Sequence, residues 1–213
     1  MATALRDDGM RDDGRASGDP RQLDTPTTSE RPPGWWGMVG LIMTEASLFT
    51  FLLFSYYYLG SLSPQWPPVA RPELTLSGPN TMILLASSGT MWWGEAGIRR
   101  GSRGRLISGL VLTFILGAVF LSIQMIEYHK TKFLPQSHAY GSVFYTITGF
   151  HGAHVAIGLL MVLFVLARAL CGHFTPARHL AIKNAAMYWH FVDIVWLFVF
   201  ITIYITPRFW WHQ

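Results

Sequence analysis

Two ionisable side chains, His190 and Asp193, lie within one long apolar stretch of the sequence, Tyr188 to Tyr204. They are three positions apart, so on an α-helix they lie on the same face. A charged side chain inside a membrane costs about 3 kcal/mol or more and normally faces other protein. We therefore expect the face that carries His190 and Asp193 to pack against protein and not against lipid.

Glu45 is a further ionisable residue inside an apolar segment. It lies ten residues after Trp35, which is about 15 Å along a helix and near the middle of a ~30 Å hydrocarbon core. No Lys or Arg lies at that depth in any apolar segment, so an internal salt bridge is not expected. Such an acid is either protonated at neutral pH or paired with a cationic or hydrogen-bonding group. We expect a protonated Glu45, with His151 or His154 accepting its proton in a hydrogen bond.

These side chains could perform two kinds of chemistry. In the first, His154 and His190 ligate a haem axially, or join glutamates around iron or copper. The Glu-x-x-His spacing that di-iron carboxylate proteins repeat on two helices does not occur. In the second, imidazoles and acids form hydrogen bonds between helices, contact lipid or a partner subunit, or lie beside a proton route in a partner.

The second kind is favoured, with no metal and no catalytic residue predicted in this chain. A buried network without further role stays open for His151 and His154. The candidates for the polar network or for lipid and subunit contact are Gln124, Glu127, His151, His154, His190 and Asp193.

The elements that would position these residues are five apolar segments. Only 13% of the residues are charged, whereas soluble proteins have about 25%. Tryptophans and tyrosines flank the first segment, as at a membrane interface. The sequence therefore predicts an all-α membrane protein, a bundle of five transmembrane helices at about 35–60, 79–98, 106–128, 140–170 and 184–205, with Pro79 as the first residue of the second helix.

The distribution of basic residues predicts the orientation of this bundle. Twelve of the sixteen Lys and Arg residues fall in the N-terminal region and the second and fourth connections, and basic residues favour the cytoplasmic side. Residues 1–34 have no apolar run and no signal-peptide core, so they predict a disordered cytoplasmic tail. The domain would then be 35–206, with 207–213 as a short external tail. The basic excess is a topology signal, and we expect no nucleic-acid partner.

The single cysteine, Cys171, limits the cofactors. One thiol cannot form a disulfide framework, a dinuclear copper centre or an attached c-type haem. An internal repeat or matching broken helices, which would indicate a transporter, are not found in the sequence.

Two runs carry a resemblance to a known family. They are Tyr188-Trp-His-Phe-Val-Asp-x-Val-Trp196 and Gly149-Phe-His-Gly-x-His-Val155. With Asn80 to Ser88, Gln124-x-x-Glu127-Tyr128 and Tyr140 to Phe144, they resemble subunit III of the haem-copper cytochrome c oxidases over residues 36–206. Many members have seven helices, with lipid bound between the first two and the other five. This chain resembles the short five-helix bacterial form, and Glu45 matches the intramembrane glutamate that reacts with carbodiimide.

The resemblance implies a subunit without a redox centre in a bacterial plasma-membrane oxidase that reduces O2 to water and pumps protons. Haem and copper would be held by the partner subunits I and II, and phospholipid by this chain. The resemblance also implies a role in proton uptake and stable turnover. Trp66-Pro-Pro68 and the Gln124 motif resemble the branch that oxidises cytochrome c; relatives in quinol oxidases and nitric oxide reductase systems remain the alternative. A supercomplex with a cytochrome c- or quinol-oxidising complex is among the expected partners.

Overall fold

The computed structural model describes residues 32–63, 65–68, 74–131, 133–175 and 179–209. Within these ranges the regular structure is entirely helical, as the sequence predicts. The five long helices are α1 (Pro33–Ser61), α2 (Leu74–Arg99), α3 (Arg103–Lys130), α4 (Ala139–Leu170) and α5 (Leu180–Phe200). A π-helical segment (Ile201–Ile205) and a short helix α6 (Thr206–Phe209) continue α5. The predicted tail, apart from its last three residues, and positions 210–213 lie outside the described residues.

Four helical stretches are long and apolar enough to cross a membrane, namely Pro33–Ser61, Arg103–Lys130, Ala139–Leu170 and Leu180–Phe209. Helix α2 is not among them, because it is rich in hydroxyl and small side chains. Several polar side chains of α2 are fully buried, including Ser77, Asn80 and Ser87. A helix with a polar stripe can lie in a membrane only if other helices cover that stripe, and α3 and α5 cover it here.

Helix α2 begins at Leu74, five residues before the predicted start, so Pro79 lies inside the helix. Proline lacks a backbone N–H and is best tolerated in the first turn of a helix. The additional turn is held by tertiary contact, since the buried Ser77 donates a hydrogen bond to Glu127 of α3. Sequence propensity alone does not register such a contact.

Helix α5 lies at the centre of the bundle, where it contacts α1, α2 and α4. Its two large indoles, Trp189 and Trp196, are fully buried. Glycines make room for Trp189: a Cβ on Gly117 of α3 would lie 2.6 Å from its ring, and one on Gly158 of α4 would lie 2.9 Å from it. Helix α1 is peripheral and buries only Phe49, Tyr56 and Gly60.

The helix ends are joined by side-chain contacts. Arg103, at the start of α3, donates to the carbonyl oxygens of Ala169 and Leu170 at the end of α4, at 3.1 and 2.6 Å. Asn184 of α5 donates to the carbonyl oxygen of Gly34 in α1 at 3.0 Å. The side of the bundle on which these helix ends lie is called the arginine end. The name refers to four arginines in and around the α2–α3 turn: Arg99, Arg100, Arg103 and Arg105.

Candidate polar sites in the helix bundle

The first polar site joins α1 to α4. The Oε2 atom of Glu45 lies 2.9 Å from Nε2 of His154. The other ring nitrogen, Nδ1, lies 2.7 Å from the carbonyl oxygen of Phe150. A carbonyl oxygen only accepts hydrogen bonds, so Nδ1 carries a proton. The Nε2–Oε2 contact therefore contains one proton, held either by a neutral Glu45 or by a cationic His154.

The Glu45–His154 pair lies at the flank of the bundle. The Glu45 side chain is 26% exposed and that of His154 is 11% exposed. Phe49, one turn beyond Glu45, packs edge-on against His154 with the ring centroids 5.1 Å apart. From the sequence we expect either His151 or His154 to bond to Glu45, and in the structure the partner is His154.

His151 is one turn from His154 but has different surroundings. It is 1% exposed and lies against Trp196, with the ring centroids 4.8 Å apart, and near Phe120 and Phe49. Neither ring nitrogen has a hydrogen-bond partner in the described part of the chain. The two histidines of the motif are therefore not bonded to each other.

The second polar site joins α2 to α5. The hydroxyl of Ser88 bonds to Oδ2 of Asp193 and lies 2.7 Å from Nδ1 of His190. A hydroxyl has one proton, and Ser88 donates it to Asp193, so Nδ1 of His190 is the donor to Ser88. Asp193 is 3% exposed. The face that carries His190 and Asp193 thus packs against α2 of the same chain.

The third polar site surrounds Glu127 of α3. Its Oε1 atom accepts hydrogen bonds from Ser77 of α2 at 2.9 Å and from Tyr204 of the π-helical segment at 2.7 Å. Gln124, one turn earlier, is fully buried. Glu127 and Gln124 are therefore neighbours on the inner face of α3, as their spacing predicts.

Sequence reasoning missed the hydroxyl partners Ser88, Ser77 and Tyr204. The sequence signal for the two serines is that α2 is rich in small and hydroxyl side chains, which favour close packing between membrane helices. In the structure the Ser77 hydroxyl bonds to Glu127 of α3 and the Ser88 hydroxyl bonds to Asp193 of α5.

The donor set of His154 does not suit the haem alternative, because both its ring nitrogens are engaged, one by Glu45 and one by Phe150. Nδ1 of His190 is bonded to Ser88, a contact that leaves Nε2 as the ring nitrogen that could ligate a metal. In the ranges that the structure describes, no three His, Cys, Asp or Glu side chains form a group suited to a metal ion.

Long apolar helices with buried polar pairs between them define a multi-pass membrane protein. A family model described as Cytochrome c oxidase subunit III matches residues 31–212. The chain therefore belongs to the cytochrome c oxidase subunit III family, and the resemblance stated above is confirmed. Membership makes it a component of an oxidase complex.

Curated relatives agree with the family match. The chain is 40% identical over 185 residues to "Cytochrome c oxidase subunit 3" of Gallus gallus, covering 83% of this chain and 69% of the relative. It is 39% identical over 173 residues to the protein of the same name from the cyanobacterium Synechocystis sp., covering 80% of this chain and 74% of the relative. The relatives thus include both animal and bacterial proteins.

Proposed function

We propose that this chain is the non-redox subunit III of a respiratory haem-copper oxidase that reduces O2 to water and pumps protons. It binds subunit I, together with subunit II and phospholipid, and supports proton uptake and stable turnover. The observation that carries the proposal is the family match over residues 31–212. The buried acids and histidines are consistent with it, because those that have partners are engaged in hydrogen bonds between helices.

The complex lies in the bacterial plasma membrane, and all five long helices span it. Helix α2 has 26 residues and is about 39 Å long, more than a ~30 Å hydrocarbon core requires. Its polar stripe faces α3 and α5 and so avoids lipid. The arginine end faces the cytoplasm and the C-terminus faces outside, in agreement with the distribution of Lys and Arg.

The electron donor is cytochrome c. Both relatives described above have the name "Cytochrome c oxidase subunit 3", which supports this donor. The resemblance of the Trp66-Pro-Pro68 loop and the Gln124 motif to that branch supports it as well. The haem and copper belong to the partner subunits, and electrons do not pass through this chain.

Within the complex, the Glu45–His154 pair steadies the packing of α1 against α4. It is a hydrogen-bonding group near the partner and not an obligatory carrier of the pumped proton. The support is geometric: Nδ1 of His154 is fixed by the carbonyl oxygen of Phe150, so the ring has one nitrogen left, and Glu45 occupies it.

Purification from native membranes in mild detergent tests the proposal. We expect the chain to travel with a haem-containing subunit and with a subunit that has two copper-ligating cysteines, and we expect the complex to oxidise reduced cytochrome c. The separated chain should show no Soret band. A Soret band in the separated chain would refute the non-redox assignment, and a complex that oxidises only quinol would refute the donor.

A further inference from the structure

Six polar residues from four helical elements meet at the end of the bundle opposite the arginine end. We call them the Glu127 cluster; they are Ser77, Asn80, Gln124, Glu127, Tyr140 and Tyr204. Ser77 and Tyr204 donate to Oε1 of Glu127. Tyr140 is fully buried in the first turn of α4, at the same end of the bundle as the last turns of α3, which carry Glu127.

Two contacts between α2 and α3 fix the position of Asn80 and Gln124 in this cluster. Ser77 bonds to Glu127, and Nδ2 of Asn80 donates to the carbonyl oxygen of Phe120 at 3.3 Å. Gln124 lies between Phe120 and Glu127 on the same face of α3. Gln124 and Asn80 are both buried at this interface between α2 and α3.

Five polar atoms of the cluster have no hydrogen-bond partner within the described residues: Oε2 of Glu127, Oε1 and Nε2 of Gln124, Oδ1 of Asn80 and the Tyr140 hydroxyl. Gln124 is 1% exposed, and Asn80 and Tyr140 are 0% exposed. Buried polar groups are nearly always paired, with protein or with ordered water. A concentration of this kind indicates a bound polar ligand.

We infer that the Glu127 cluster is an internal water-binding site. A buried water makes about three hydrogen bonds, so five unpaired atoms require at least two waters. These waters link Oε2 of Glu127 to the Gln124 amide, to Asn80 and to the Tyr140 hydroxyl.

The mixture of donors and acceptors selects water over a cation. Oxygen-seeking cations are bound by carboxylate, carbonyl and water oxygens. Nε2 of Gln124 can only donate, so a cation bound by the oxygens would leave this buried donor without an acceptor. Water molecules both donate and accept hydrogen bonds, and so two or more of them can satisfy all five atoms.

Aromatic rings and a π-helical segment enclose the site. Tyr140 is enclosed by Tyr56 and Trp66, with ring centroids 6.1 and 5.3 Å away. On the other side, the π-helical segment brings three consecutive residues, Thr202 to Tyr204, into the interior. Wide helical turns of this kind are frequent at functional sites, and this one directs the Tyr204 hydroxyl at Glu127.

Radiolytic hydroxyl-radical labelling in 18O-water, performed on the chain purified with its partner subunits, tests the site. Radicals formed from a bound water label the side chain beside it even when that side chain is buried. We expect Tyr140 to be labelled several-fold faster than Tyr188, which is also buried but donates to the carbonyl oxygen of His154. Equal, slow labelling of the two tyrosines would overturn the inference without any variant.

Gln124→Leu removes the amide at nearly constant volume and should lower the Tyr140 labelling rate towards that of Tyr188. Thr113→Val is the matched control, since Thr113 is a buried polar residue of α3 whose hydroxyl is already paired, and it should leave Tyr140 labelling unchanged. An unchanged rate in Gln124→Leu would refute the role of Gln124. A high-resolution map that shows Gln124 bonded directly to Glu127, with no density beside Oε2, would refute the site.

Discussion

Glu45 and His154 share a single proton, because the second ring nitrogen of His154 is committed to the carbonyl oxygen of Phe150. If Glu45 holds the proton, both groups are neutral. If His154 holds it, the pair is ionic and its burial costs more, since charges leave water. An amide in place of the acid can donate to a neutral Nε2 in the same position.

Glu45→Gln should therefore keep much of the oxygen reduction by the complex. Glu45→Ala leaves Nε2 of His154 unpaired, which costs about 1–3 kcal/mol, so it should reduce thermal stability and sustained turnover more than the initial rate. Oxygen uptake and proton release per electron, measured on both variants, test these expectations. Ser47→Ala is the control on the same helix, because within the described residues Ser47 bonds only to the carbonyl oxygen of Met43. Complete loss of pumping in an assembled Glu45→Gln complex would make Glu45 a proton carrier.

Asp193→Leu should weaken the fold or subunit association, because it deprives the Ser88 hydroxyl of its buried acceptor. We expect a loss of about 1–3 kcal/mol and a smaller loss for Asp193→Asn, whose oxygen still accepts from Ser88. Thermal unfolding and the fraction of chain that co-purifies with its partners report the change. Ser122→Ala removes an exposed hydroxyl that, in the part of the chain that the structure describes, bonds only to its own helix, and it should have no effect. Parent-like assembly and heat resistance in Asp193→Leu would show that this face has no such role.

The sequence identifies these acids and histidines but not all of their partners. Position in an apolar segment is enough to single out Glu45 and Asp193. The choice of His154 over His151 depends on which side of α4 meets α1, and the role of Ser88 depends on the contact between α2 and α5. Both contacts depend on how the helices pack against one another. The spacing of residues along a single helix contains no information about that packing.

At the scale of elements, the closest packing in the bundle is between α2 and α3. A Cβ on Gly109 of α3 would lie 2.6 Å from Cα of Gly94 and 2.8 Å from the carbonyl oxygen of Thr90. These are backbone atoms, which cannot rotate away. Glycine at this point is therefore required by the approach of the two helices, as in other membrane helix pairs.

Gly109→Ala should destabilise the chain by about 1–3 kcal/mol through overpacking. Gly104→Ala is the matched control on α3, because nothing lies within 4 Å of its added Cβ, and it should be neutral or slightly stabilising. Unfolding of the purified complex by heat or by denaturing detergent compares the two. If both variants unfold alike, the close approach of α2 and α3 does not contribute to stability.

The end of α5 shows a limit of sequence-based prediction at this scale. The sequence predicts one continuous span to residue 205, whereas the structure changes to a π-helical turn at Ile201. This turn lets Thr202 approach Tyr57 of α1 at 3.2 Å while Tyr204 bonds to Glu127 of α3. Hydrogen bonds to two other helices hold the turn, and local preference for helix or strand contains no information about them.

At the scale of the whole molecule, side-chain contacts show which helix ends lie on the same side of the bundle. This evidence is independent of the count of charged residues. Arg103 joins the start of α3 to the end of α4, and Asn184 joins the start of α5 to the start of α1. The turn between α2 and α3 and the connection between α4 and α5 are therefore on one side. A single topology measurement at either connection fixes the orientation of the bundle.

Ser102, in the turn between α2 and α3, should lie in the cytoplasm, because twelve of the sixteen Lys and Arg residues are assigned to that side. The native Cys171 is exposed near the same end, so the experiment begins from Cys171→Ser. In that background, Ser102→Cys should resist an impermeant thiol reagent added to intact cells and react once the membrane is opened. Gln136→Cys, in the exposed α3–α4 connection, should react from outside without permeabilisation. The reverse pattern would invert the proposed topology and place the Glu127 cluster at the cytoplasmic end.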